Sequence, residues 1–216
     1  MNTKAKHVDL TRNPLDVCVS SYHFTRSLPV YRFNDGTFDD FFELSVTGKN
    51  NRWDFFDHFM SWYSHKDDSN VFFVTYEELK RNFRDTVLRL ARFLGEEYAR
   101  PLETNEELFQ KVVDRSSIQS LSQILMITED TMKSMEEKGD SDILAAAKRF
   151  VCKECGKPST QNILINKGIV GDWKTHFWEK HRDRLRRRIE EKKAVAVVKL
   201  SAVPKSWVTS FSFDQI

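Results

Sequence analysis

The sequence is short of four things, and each shortage narrows the reading. No apolar run is long enough to span a bilayer. The first residues, Met1-Asn2-Thr3-Lys4-Ala5-Lys6, lack the apolar stretch of a secretory signal. There are three cysteines, an odd number, so a disulfide framework is not expected and a reducing, cytoplasmic setting is. Net charge is also scarce: 34 basic side chains against 32 acidic ones leave +2, which excludes a chain that binds nucleic acid through its overall field. No internal repeat and no linker break the 216 residues, a length that suits one α/β domain.

Phenylalanine is plentiful, with 17 residues, and favours aromatic cores and pockets. Residues 4–11 read as a short buried strand. Asn13-Pro14 then supplies a helix cap followed by the residue most at home in the first helical position, and Asp16 suits the first turn of the helix that follows. Helical segments are expected over 38–44 and 53–63. The apolar run 71–76 is the clearest strand and suits a parallel sheet, with Tyr76 at its end. Further helices are expected over 77–80, 86–94 (stopped by Gly95), 103–113 and 118–127. Residues 128–161 have weak periodicity and are expected to include a mobile loop, 173–193 are helical and basic, and 194–216 form an apolar, β-prone tail.

Several residue patterns point to chemistry. Lys167-Gly168-Ile169-Val170-Gly171-Asp172 is a basic, glycine-punctuated loop in which bare N–H groups and a mobile cation suit a phosphate, and Asp172 is placed to cap the next helix. Arg12 stands where a strand gives way to a helix, a position that favours anions in open α/β sheets, and its guanidinium fork suits phosphate. A structural ion pair is the equal alternative for Arg12, as a surface hydroxyl is for Ser20, and for Tyr76 a core-capping ring is the favoured reading of the residue alone. Cys152-Lys153-Glu154-Cys155 is one CxxC without a second pair, so no metal is expected. The basic run 182–188 reads as a solvated face rather than a nucleic-acid contact.

Three segments together resemble the cytosolic sulfotransferases. Thr11-Arg12-Asn13-Pro14-Leu15-Asp16-Val17-Cys18-Val19-Ser20-Ser21-Tyr22-His23-Phe24 is similar to that family's RNPxDxxxSxYHF segment. Phe73-Val74-Thr75-Tyr76-Glu77-Glu78-Leu79-Lys80 resembles FxxYEDLK, and Lys167-Gly168-Ile169-Val170-Gly171-Asp172-Trp173-Lys174 resembles RKGxxGDWK. The order is the family's, and the resemblance extends over most of residues 4–193.

The resemblance implies an α/β fold: a P-loop nucleotide-kinase-like parallel sheet flanked by helices, over residues 1–193, with 194–216 as an atypical tail. It implies transfer of a sulfuryl group from 3′-phosphoadenosine-5′-phosphosulfate (PAPS) to a hydroxyl or amine of a small hydrophobic acceptor. By motif match Arg12 and Ser20 hold the donor's 3′-phosphate, and Lys167 and Gly168 close over it. Asn166 stands where the family has arginine, and loss of one charged hydrogen bond weakens donor binding by about 1.5–3 kcal/mol. Tyr76, Ser116 and Ile118 match positions beside the nucleotide, although Ile118 forgoes an aromatic stack. His58 matches a segment that borders the acceptor pocket. Phe177-Trp178-Glu179 departs from the family's dimer contact, so a homodimer is expected with a degenerate motif. No PKSGTTW-like phosphosulfate loop and no histidine at the family's catalytic position are found, so no catalytic residue is assigned. The chain is therefore expected to be an N-terminally truncated, C-terminal portion of a sulfotransferase. It is expected to be either an enzyme or a catalytically dead relative that keeps the 3′-phosphate half-site as a binding or regulatory module.

Overall fold

The computed structural model of the chain describes residues 4–28, 31–50, 54–124, 137 and 167–195. Its sheet is a parallel pair, β1 (His7–Thr11) and β2 (Val71–Thr75), in register from His7 opposite Val71 to Thr11 opposite Thr75. Helix α1 (Pro14–Ser27) follows β1, and α2 (Phe38–Val46) and α3 (Phe55–Tyr63) precede β2. After β2 come α4 (Tyr76–Arg81), α5 (Phe83–Leu94), α6 (Glu96–Thr104), α7 (Glu106–Arg115) and α8 (Ile118–Ile124). A 3-10 turn (Asp172–Thr175) precedes α9 (Glu179–Val195). No helix among the described residues is long and apolar enough to cross a membrane.

The chain packs as two compact units. One comprises Met1–Val19, Phe38–Pro101 and Val170–Ile216, and the other Ser20–Thr37 and Leu102–Ile169. The first holds the sheet. Because side chains alternate along a strand, β1 and β2 present two faces. On one, Phe73 meets Tyr63 of α3 edge to face at 5.4 Å, and the His7 ring lies 5.5 Å from that of Trp62. On the other, Phe72 packs on Phe93 of α5 at 5.6 Å.

The parallel sheet flanked by helices is as expected, but two expectations about its front are corrected. The strand is shorter than 4–11 and only half buried, because Val8 and Leu10 on one side are 49% and 51% exposed. The residues that lead into the strand are tied to the rest of the unit. His7 N–H donates to the Asn70 carbonyl at 2.8 Å, Asn70 Nδ2 donates to Ala5 O at 3.0 Å, and Lys6 Nζ donates to Leu94 O at 2.6 Å. The N-terminal segment is thus folded into the first unit.

Local chemistry sets the helix ends. Asn13 Oδ1 accepts from Leu15 N–H at 2.9 Å and caps α1 ahead of Pro14. Thr75 Oγ1 accepts from Glu78 N–H at 3.1 Å, so α4 begins at Tyr76, which opens a helix instead of ending the strand. Gly95 stops α5, as expected, with its N–H on Ala91 O at 2.9 Å. The helix expected over 103–113 divides at Asn105, whose Oδ1 takes Leu108 N–H at 2.9 Å and starts α7.

The continuous helix expected from 173 is also broken. Asp172 opens the 3-10 turn and does not cap α9; Trp178 N–H donates instead to His181 Nδ1 at 3.1 Å. That bond requires His181 Nε2 to carry the hydrogen it donates to Asp39 Oδ1 at 2.6 Å. The end of the 118–127 segment, the 128–161 loop, the Cys152/Cys155 pair and the tail beyond 195 lie outside the described residues.

Candidate functional site

The two strand-to-helix junctions stand side by side, because the strands are parallel and end in register. They are cross-braced: Asn13 N–H donates to Glu77 Oε1 at 2.9 Å, a buried bond between residues 64 apart in sequence. Asp16, only 1% exposed, sits one turn into α1. A carboxylate that deep requires donors on its oxygens. Gly171 N–H supplies one to Oδ2 at 2.8 Å and Trp173 N–H another to Oδ1 at 3.1 Å, while Arg12 Nη2 stands 3.6 Å from Oδ2. The glycine is required here, since φ is +89° at Gly171. Asp16 therefore ties the loop at 170–173 to the start of α1.

Arg12 and Tyr76 are brought together at this place. The guanidinium lies over the tyrosine ring at 4.6 Å from its centroid, with Lys80 Nζ at 5.9 Å from the same ring. Burial raises the Tyr76 hydroxyl above its ordinary pKa; the Arg12 charge opposes that shift, and Asp16 and Glu77 add to it. The phenol thus stays protonated at neutral pH and able to donate. A cleft of about 510 Å³ opens beside the junctions, with Asp16 and Glu77 on its floor, Trp173 on its wall and Lys80, Arg81 and Lys174 among its lining.

The remaining expected residues are placed as follows. His58, on α3, has Nε2 3.8 Å from Asp9 Oδ1 on β1, in the same unit as Arg12 and Tyr76. Asp9 is raised above the usual carboxylate range by burial, which His58 partly offsets. Ser20, Ser116, Ile118, Lys167 and Gly168 belong to the second unit. Ser20 is half-buried on α1. Ser116 ends α7 with its hydroxyl donated to Val112 O at 2.7 Å, Ile118 opens α8 and is 39% exposed, and Lys167 is exposed. Gly168 takes φ +63°, the left-handed backbone that favours glycine. Asn166 lies outside the described residues.

Sequence reasoning missed the Asp16 pin and the cations of the cleft. The signal for Asp16 was weak, because its partners are 155 and 157 residues away and are backbone groups. Lys80 and Lys174 were visible only as letters within two of the segments, and Arg81 as the residue after one of them.

Comparison with known proteins adds the family. The model of the sulfotransferase domain matches residues 1–196. This match begins at the first residue and takes in nearly the whole chain, which overturns the expectation of an N-terminally truncated, C-terminal portion. The chain is 30% identical over 190 residues to an amine sulfotransferase of Oryctolagus cuniculus, covering 88% of this chain and 55% of that one. It is 33% identical over 176 residues to sulfotransferase 6B1 of Danio rerio, covering 82% and 48%. The chain spans about half the length of the curated relatives it matches. Among solved structures it is similar to mouse sulfotransferase SULT7A1 complexed with PAP, with TM-score 0.65, 25% identity and coverage of 95% of this chain and 63% of that one. A retinol dehydratase in complex with androsterone and PAP shares the fold, with TM-score 0.63 over 90% of this chain and 49% of that one, at 22% identity.

Proposed function

The chain belongs to the sulfotransferase family, and from that premise we propose that it transfers a sulfuryl group from PAPS to a hydroxyl or amine of a small hydrophobic acceptor. The observation that carries the reading is the Arg12–Tyr76 pair at the adjoining strand ends, where a guanidinium is held over an aromatic ring 4.6 Å away. A nucleotide bearing a 3′-phosphate needs a bidentate cation for that group and a flat apolar surface for its base, and this donor set fits both needs.

In this reading Arg12 and Ser20 hold the 3′-phosphate, with Lys167, the Gly168 N–H and Asn166 closing over it. Tyr76, Ser116 and Ile118 line the nucleotide, and His58 borders the acceptor. Asp16 positions Arg12 and the loop that starts at Gly171. The donor supplies the sulfuryl group, and the acceptor must lose its proton as the S–O bond forms. No side chain of this chain is assigned that proton. Residues 1–193 act as the sulfotransferase domain and 194–216 as an appended tail, in the cytosol, and a homodimer through the degenerate Phe177-Trp178-Glu179 region would be weak.

Calorimetric titration with 3′-phosphoadenosine-5′-phosphate tests the site. Saturable binding is expected, with Arg12→Ala weakening it by roughly 10- to 100-fold, the equivalent of one charged hydrogen bond. Absence of binding by the wild-type chain would overturn the proposal. Binding without donor-dependent sulfation of any phenol, alcohol or amine would turn it towards the binding-only relative.

A further inference from the structure

The cleft beside the two junctions has features that the nucleotide reading does not use. Its volume, about 510 Å³, falls in the range of small-molecule sites. Lys80, Arg81 and Lys174 line it, all three exposed, and among the described residues none of them has an ion pair. Elsewhere in the same unit, exposed Arg89 pairs with Glu78 and exposed Lys180 with Asp39. The carboxylates on the cleft floor do not supply the missing partners. Asp16 has both oxygens on backbone N–H groups and Glu77 accepts from Asn13 N–H, and both side chains are buried.

We propose that this cleft is an oxyanion site separate from the Arg12 phosphate site, and that it takes a phosphate monoester with a small apolar or aromatic tail. Charge decides the class. Lys80, Arg81 and Lys174 outnumber the two carboxylates of the lining, Asp16 and Glu77, which already accept from backbone N–H groups. A phosphate monoester carries about −1.5 to −2 at neutral pH and engages more of these cations than a sulfate monoester, which carries one charge fewer. Three like charges converging on one cleft repel one another, and a dianion among them removes that repulsion while accepting charge-assisted hydrogen bonds. Shape selects the tail. Trp173 and Val170 form an apolar wall, and the space where a Cβ of Gly171 would project holds no atom within 4 Å. A group can therefore settle against the loop without displacing anything.

The test uses the full chain with phenyl phosphate as the probe, read by calorimetry and by the fluorescence of the cleft tryptophan. Saturable binding is expected, with phenyl sulfate at least tenfold weaker. The double variant Arg81→Ala/Lys174→Ala should lose at least tenfold in phenyl phosphate affinity while its melting temperature stays unchanged, since neither side chain has an ion pair to lose. Lys174→Arg should keep binding within about threefold. Phenyl phosphate should still bind at saturating 3′-phosphoadenosine-5′-phosphate, and the double variant should bind that nucleotide as the wild type does. Unchanged phenyl phosphate affinity in the double variant, or full displacement by the nucleotide, would overturn the proposal. Because the probe carries no nucleotide, failure of the Arg12 site leaves this outcome readable.

Discussion

Two cationic regions of the first unit look alike in sequence and differ in structure. Helix α9 carries the dense basic run, yet several of its cations are spent on neighbouring carboxylates. Arg184 faces Glu43, Arg188 donates to Asp54 at 2.8 Å, Lys192 reaches Asp54 at 3.1 Å and Asp57 at 2.5 Å, and Lys180 pairs with Asp39. The cleft holds fewer cations, drawn from two distant segments, and leaves three of them without an ion pair among the described residues. The dense run is a fastening between α9 and α2–α3. Binding potential lies with charges that have no carboxylate beside them, not with the number of basic letters in a row.

The contrast can be attacked first at the floor of the cleft. Asp16→Ala strands the Gly171 and Trp173 N–H groups and leaves Arg12 without its carboxylate, so a loss of about 3–5 kcal/mol is expected in urea unfolding, along with nucleotide affinity. A loss smaller than that of the α9 clamp would mean that the loop at 170–173 is not held by this group.

The clamp itself comes next. Asp54 caps α3 through Phe56 N–H and Asp57 N–H while accepting from Arg188. Burial pushes its carboxyl up, but the hydrogen bonds from Arg188, Lys192 and the Asp57 backbone outweigh that and hold it below the usual range. A depressed folded pKa gives stability that is present above the unfolded value near 4 and lost as pH falls through the folded value. Asp54→Asn should therefore destabilise by about 2 kcal/mol at pH 7, the sum of a weakened cap and weakened charged bonds, and by much less at pH 2. Parallel pH–stability curves for variant and wild type would refute the clamp.

The smallest effect has the opposite sign. Asp9 is raised by burial, with His58 3.8 Å away as a partial offset. A raised folded pKa means that its favourable contribution exists below the unfolded value and disappears as pH rises through the folded one. Asp9→Asn should raise the melting temperature at pH 7 by a few degrees and leave it unchanged at pH 3. Destabilisation at pH 7 would show that the His58 contact, and not burial, governs this carboxylate.

What could be read from the sequence follows the range of each interaction. The Asn13-Pro14 cap, the apolar strand expected at 71–76 (one residue longer than the strand itself) and the Gly95 stop depend on neighbours within a few residues, and they were legible. The break ahead of α9 was not, because its start depends on a histidine ring held by Asp39, 142 residues away. The division at Asn105 was missed because helical spacing continues across it and only the asparagine side chain marks the cap. Among the site residues, Arg12 was placed correctly at a strand-to-helix junction, which is a local pattern, whereas Tyr76 was expected to end its strand and instead opens the helix that Thr75 caps. Their support from Asp16 was read only as a helix-dipole effect, because its true partners are backbone groups of a distant loop.

That support has a consequence for biosynthesis. Asp16 leaves the ribosome well before Gly171 and Trp173, which satisfy its oxygens and emerge more than 150 residues later. Until then the start of α1 must keep a hydrated carboxylate where the finished protein has a buried one, so the junction that carries Arg12 cannot close before that loop has been made. The β1–α1 junction is made well before it sets.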